Sequence, residues 1–138
     1  MWGTIRQVEQ VSSLMREYCY DIMNRQVGNA GAFYLAIKDM VDTGYWTMFV
    51  AEERGFVRGF ITGTNYLGRA KIDNLYVDKR FHRQGIGSAL IKAYQEYVDA
   101  NGADVLTVQT RPTPQAISFY KKNGFEQLKS SYLMQKML

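Results

Sequence analysis

The 138-residue chain has one cysteine, one histidine and two prolines. A lone cysteine excludes an internal disulfide, and a lone histidine leaves no Cys/His set for zinc. No stretch approaches the ~18 apolar residues of a membrane-spanning helix. The opening MWGTIRQV lacks the basic-then-apolar plan of a secretory signal. No linker, repeat or low-complexity segment interrupts the chain, and its length fits one domain, residues 1–138. The expected compartment is the cytoplasm. The formal charge of +4 has no basic tract behind it, since Lys and Arg are scattered from Arg6 to Lys136. That argues against a nucleic-acid partner, and nothing in the pattern calls for a membrane.

What is present is periodicity. Thr4–Val8 is a short strand candidate. Val11, Leu14, Met15, Tyr18, Cys19 and Ile22 recur at three and four, predicting a helix from Val11 to about Asn24. Gly28-Asn29-Ala30-Gly31 breaks it, and a second helix follows from Phe33 to Val41. Thr47–Glu52 and Phe56–Asn65 read as strands joined by a hairpin across Glu53-Arg54-Gly55, with Ala70–Val77 after the next turn. A third helix carries Ile86, Ala89, Leu90, Ala93, Tyr94, Tyr97 and Val98 on one stripe and stops at Asn101-Gly102. Val105–Thr110 reads as a buried strand. Thr113-Pro114 is an N-cap with proline at the first helical position, and Gly124 is the matching stop. Phe125–Lys129 and Tyr132–Met137 are the last strand candidates.

The strand Ala70–Val77 contains one irregularity. Its strongly aliphatic positions step from Ile72 to Leu75 and Val77, breaking alternation as one extra residue near Asp73-Asn74 would. A bulge there would splay the strand and free backbone groups for a ligand. Tyr76 on the other face also fits a strand covered on both sides.

Leu75 to Gly87, LYVDKRFHRQGIG, then reads as strand, basic loop and two glycines opening a helix. Glycines admit a close ligand, and the unpaired N–H groups of a helix's first turn favour an anion. Arg80, His82 and Arg83 crowd the same turn. A dinucleotide fingerprint would need a third glycine where Leu90 stands, and a Walker loop would need Lys after the second glycine. Both readings are weak, and a small polyanion such as coenzyme A fits better.

A second motif, Ala116-Ile117-Ser118-Phe119-Tyr120 running to Gly124-Phe125, follows Gln84-Gly85-Ile86-Gly87-Ser88-Ala89-Leu90. In this order the pair resembles the GNAT superfamily of N-acetyltransferases, from about Phe49 onward. The resemblance implies an α/β (α+β) fold, a mixed twisted sheet of about six to seven strands with about four helices. It implies acetyl-CoA as co-substrate and no metal. Backbone N–H groups of Leu75, Tyr76 and Val77 would hold the pantetheine arm and polarise the acyl carbonyl. The turn of His82, Arg83, Gln84, Gly85, Ile86, Gly87 and Ser88 would cradle the pyrophosphate, with Ala116 and Phe119 packing on the cofactor. Thr113 stands where the family often has Asn, and its plain role is the helix cap. His82 stands where Gln or Arg is usual.

Acetyl transfer also needs an acid for the leaving thiolate and a base for the amine. Tyr120 occupies the family's tyrosine position, and a phenol of pKa ~10 can protonate a thiolate of pKa ~8.5. Core packing beside Phe119 is its other reading. Asp73, beside the suspected bulge, is the best-placed base; otherwise it is a solvated strand-edge carboxylate. Glu52, Asp21 and Asp39 are fallback groups for a cationic substrate. Cys19 lies on an apolar stripe and reads as a buried thiol. The expected enzyme is an acetyl-CoA-dependent N-acetyltransferase acting by direct attack of a primary amine, from a small molecule or a protein. The alternative is a non-catalytic acyl-CoA-binding module, and a homodimer is compatible with either.

Overall fold

Ser12 opens the first helix by accepting the Met15 N–H at 3.1 Å, and Gly28 ends it in the left-handed region at φ 73°. Between them the helix α1, Ser13–Val27, runs one turn beyond the point where its apolar stripe fades. In the computed structural model, which describes residues 3–128, the elements follow in a simple order. They are β1 (Thr4–Val8), α1, α2 (Gly31–Asp42), β2 (Thr47–Glu53), β3 (Phe56–Tyr66), β4 (Arg69–Val77), a 3₁₀ turn (Lys79–Phe81), α3 (Ile86–Ala100), β5 (Val105–Val108) and α4 (Pro114–Lys122). The five strands form one sheet in sequence order. Neighbours from β1 to β4 run antiparallel, and β4 and β5 run parallel across α3.

Strand alternation splits the core into two layers. Met15, Cys19, Ile22 and Ile37 of the first two helices pack with Met48, Val50 and Phe60 on one face. Ile86, Leu90, Tyr94 and Val98 of α3 pack with Ile61, Ala70 and Ile72 on the other. Fully burying a side chain of this size is worth about 1.5–3 kcal/mol, so both faces are needed to hold the sheet.

The mixed α/β architecture and four α-helices agree with expectation, and the strand count differs. Five strands occur among the described residues, against the six to seven predicted. Phe125 to Leu128 has no strand structure, and the candidate at Tyr132–Met137 lies outside the described residues, as does Lys129. β5 ends at Val108 rather than Thr110, and it is half-exposed rather than buried. Leu14, expected on the inner stripe of α1, is 61% exposed.

One local defect organises the rest. Thr62 opposes Asn74 and Gly63 opposes Ile72, so Asp73 is an extra residue in β4, the bulge that the Ile72-to-Leu75 step predicted. Tyr94 of α3 is inserted at this point. Its hydroxyl lies 3.0 Å from the Thr64 carbonyl and 2.9 Å from the Lys71 carbonyl, tying both strands to the helix. Position 63 must be glycine, because a Cβ there would overlap the Tyr94 hydroxyl and the Lys71 carbonyl. β5 pairs with β4 only up to the bulge, from Arg69–Val105 to Ile72–Val108. Beyond Ile72 the two parallel strands separate.

Candidate active site

The separation leaves one edge of β4 without a strand partner among the described residues, from Asp73 to Val77. The direction of its backbone groups follows from a single bond. Asp78 N–H donates to the Arg58 carbonyl of β3 at 2.8 Å. In a trans peptide the preceding carbonyl points the opposite way, so the Val77 carbonyl faces the gap. Alternation then turns the Val77 N–H, and both backbone groups of Leu75, into the same gap. A cleft of about 820 Å³ occupies it, walled by β4, the start of α3, α4 and the segment after β5, and reached from α1 by Gln26 and Val27.

The end of β4 is held firmly. The Val77 carbonyl accepts from Gln26 Nε2 at 2.7 Å and meets His82 Nε2 at 2.9 Å. Asp78 caps the 3₁₀ turn by accepting Arg80 N–H at 3.0 Å, and it takes the Arg80 guanidinium through both oxygens at 3.1 and 2.6 Å. The adjacent guanidinium holds the Asp78 carboxyl below the ordinary carboxylate range. Arg80 and His82, read from sequence as anion-attracting groups, are thus engaged in building the turn. Arg83 lines the cleft, together with Arg111 and Lys122, which sequence reasoning did not single out.

The two glycines of the turn do different work. Gly85 sits at φ 80°, where a side chain would be strained although the space around it is open. It precedes Ile86, Gly87 and Ser88, whose N–H groups have no intrahelical acceptor. The first helical bond of α3 is Ala89 N–H to Gly85 O, at 3.0 Å. Gly87 is glycine for closeness, since a Cβ there would lie 3.0 Å from the Phe119 ring of α4. Thr113 caps α4 by accepting the Ala116 N–H at 3.2 Å. Of the thirteen residues expected at the cofactor, Leu75, Tyr76, Val77, His82, Arg83, Gly85, Ile86, Gly87, Ser88, Ala116 and Phe119 line the cleft, while Gln84 and Thr113 do not.

Tyr120 and Asp73 both line it as well. Tyr120 is wedged edge-on between Phe119 and Phe125, at ring distances of 5.1 and 5.5 Å. Burial pushes its phenol above the usual value, and Tyr76 adds to the effect. Asp73 has a side chain 20% exposed, with Oδ1 3.7 Å from Lys71 Nζ. Its Oδ2 is buried and has no hydrogen-bond partner. The other acids weighed from sequence lie off the cleft. Glu52 is paired with Arg6 at 2.7 Å and Asp21 with Arg25 at 3.1 Å, while Asp39 is exposed on α2. Cys19 is fully buried, and desolvation pushes its thiol far up, as expected of a structural residue. Among the described residues no group of three His, Cys, Asp or Glu is arranged for a metal ion.

Chemically, the cleft brings together backbone donors on an open strand edge, an anion-accepting helix start, a partly buried phenol and a carboxylate with a free oxygen. A family model described as an acetyltransferase (GNAT) domain matches residues 44–127, more than half of the chain. Among solved structures, AAC(6')-Iy in complex with the bisubstrate analog CoA-S-monomethyl-acetylneamine aligns with a TM-score of 0.79. Its identity is 17%, with 99% of this chain and 100% of that one covered. The aminoglycoside antibiotic 6'-N-acetyltransferase AAC(6')-IG from Acinetobacter haemolyticus gives 0.80 at 10% identity, covering 98% and 99%. A GNAT-family acetyltransferase from Streptococcus pneumoniae TIGR4 gives 0.76 at 22%, covering 98% and 96%. No curated protein sequence matches the chain significantly. At these identities the structural likeness establishes the fold.

Proposed function

We propose that this chain, which belongs to the GNAT acetyltransferase family, moves an acetyl group from acetyl-CoA to a primary amine by direct attack. The observation that carries the reading is the open half of β4, where Leu75 and Val77 turn backbone N–H groups into a cleft that ends at the start of α3. The residues present fit the co-substrate. The N–H groups of Ile86, Gly87 and Ser88 suit a pyrophosphate, Arg83, Arg111 and Lys122 supply positive charge, and the strand edge suits an extended amide-bearing arm.

Acetyl-CoA supplies an activated thioester, and the chain's own residues supply the rest. The Leu75 and Val77 N–H groups polarise the carbonyl and stabilise charge developing on its oxygen. Asp73 accepts the proton released by the attacking nitrogen, directly or through water. As the C–N bond forms and the C–S bond breaks, the Tyr120 hydroxyl protonates the departing sulfur, and the phenolate regains a proton from solvent. The balance is thioester plus amine to amide plus thiol.

The test has two arms. Acetyl-CoA and CoA should raise the melting temperature, by the equivalent of about 2.7 kcal/mol at a hundredfold excess over Kd, with NAD and ATP far weaker. Thiol release should then depend on an added amine. Equal shifts with NAD would overturn the cofactor, and tight CoA binding without turnover of any amine would leave a binding module.

A further inference from the structure

The charged groups of the cleft carry information about the acceptor. Arg83, Arg111 and Lys122 line it, and Asp73 is its single carboxylate among the described residues. The residues outside 3–128 contain no Asp or Glu, so their side chains add no further acid. The acids of α1, which borders the cleft through Gln26 and Val27, and of α2, which packs against α1, are committed elsewhere or face away. Glu17 accepts the Tyr34 hydroxyl at 2.6 Å. Asp21 pairs with Arg25 at 3.1 Å. Asp42 pairs with Lys38 at 2.6 Å and accepts the Val11 N–H at 2.8 Å. Asp39 is exposed, and none of the four lines the cleft. On the α1 side the wall is Val27, Tyr76 and the Gln26 amide, neutral groups throughout.

From this we infer that the acceptor is a monoamine, with one amino group that reaches Asp73, an uncharged body that lies against Val27 and Tyr76, and no second cationic group. The inference rests on the acetyltransferase reading and narrows it. A polycation must have each ammonium solvated or paired when it binds in the cleft, and one carboxylate serves one of them. The remaining charges would share the cleft with three exposed cations and no second carboxylate. A single amine avoids that cost. The free, buried Oδ2 of Asp73 gives it a partner, and the aromatic and aliphatic wall gives its body contact area. This separates the chain from the aminoglycoside acetyltransferases that share its fold, because an aminoglycoside presents several ammonium groups at neutral pH.

Competing substrates test it on the intact chain. Initial rates of thiol release at saturating acetyl-CoA would be measured for phenethylamine and tyramine as monoamines, and for spermidine, neamine and sisomicin as polycations. The expected result is a kcat/KM at least tenfold higher for the better monoamine than for any polycation, with a shallow dependence on salt. In Asp73→Asn the kcat/KM for that monoamine should fall at least tenfold while the CoA-induced thermal shift is retained. A polycation used as well as or better than the monoamines would overturn the inference and leave the acetyltransferase reading standing. Absence of turnover with every amine, despite CoA binding, would remove that reading and the inference with it.

Discussion

From Arg69 to Ile72, β4 is hydrogen-bonded to β3 on one side and to β5 on the other. From Asp73 to Val77 it keeps β3 and exchanges β5 for a cleft. The two halves differ by one inserted residue and what braces it. In the closed half the backbone is consumed by sheet pairing and Ala70 and Ile72 are buried. In the open half all five residues are partly exposed, and the cleft-side N–H groups of Leu75 and Val77 have no strand partner among the described residues. The lesson is that a binding edge can be cut from a sheet interior without a break in the strand. It requires a bulge, a glycine opposite it, and a tyrosine to hold the distortion in place.

Four substitutions probe that division, in falling order of expected effect. Gly63→Val attacks the brace itself. The new side chain would collide with Tyr94 and the Lys71 carbonyl, so chemical denaturation should show a loss of about 3 kcal/mol. A stable variant with an intact cleft would mean the bulge does not depend on this contact. Tyr120→Phe acts on the open half alone. It keeps the ring between Phe119 and Phe125, and turnover should fall ~100-fold, about 2.7 kcal/mol, with CoA affinity nearly constant. Unchanged turnover with chemistry rate-limiting would remove Tyr120 from the mechanism.

Tyr94→Phe removes the hydroxyl shared by the Thr64 and Lys71 carbonyls and leaves the ring. A loss of about 1–2 kcal/mol is expected, together with weaker CoA binding if the bulge relaxes. Unaltered stability would show that packing of the ring suffices. Asp78→Asn gives the smallest effect and concerns pH. The folded-state pKa of Asp78 lies below its unfolded value near ~4, so its contribution is present above that pH and is lost as pH falls through the folded value. The gap in melting temperature between wild type and Asp78→Asn should therefore narrow as the solution is acidified below about pH 5. A gap that stayed constant would show that the carboxylate's charge is not what holds the turn.

Much of this was legible in order along the chain, because the signals were local. The N-cap at Thr113, the glycine stops and the break from Ile72 to Leu75 each report on a few adjacent residues. The bulge could be located from hydrophobic spacing since a one-residue slip changes which face a side chain occupies. What escaped were consequences of distant contact. Gln26 lies in the last turn of α1, past the apolar stripe, and its partner is 51 residues away. Arg80 looked free in sequence, but the geometry of a tight turn delivers it to Asp78 two residues back. The reason for glycine at position 87 is a ring from α4, which no local reading of the turn contains. Arg111 precedes α4 and Lys122 ends it, and both reach the cleft only because β5 diverges from β4.

The bond from Gln26 to the Val77 carbonyl ties the helix on one face of the sheet to the strand edge that lines the cleft. In the proposed reaction it would make the two ligands thermodynamically aware of each other. If the acceptor lies against the end of α1 as inferred, its binding would shift the donor that fixes Val77, and occupancy along Val77 would shift the same donor in return. By linkage the factor by which one ligand alters the other's affinity is identical in both directions. Equilibrium titrations of CoA with and without an acceptor, and of the acceptor with and without CoA, should close on one coupling constant, and Gln26→Ala should bring that constant toward unity.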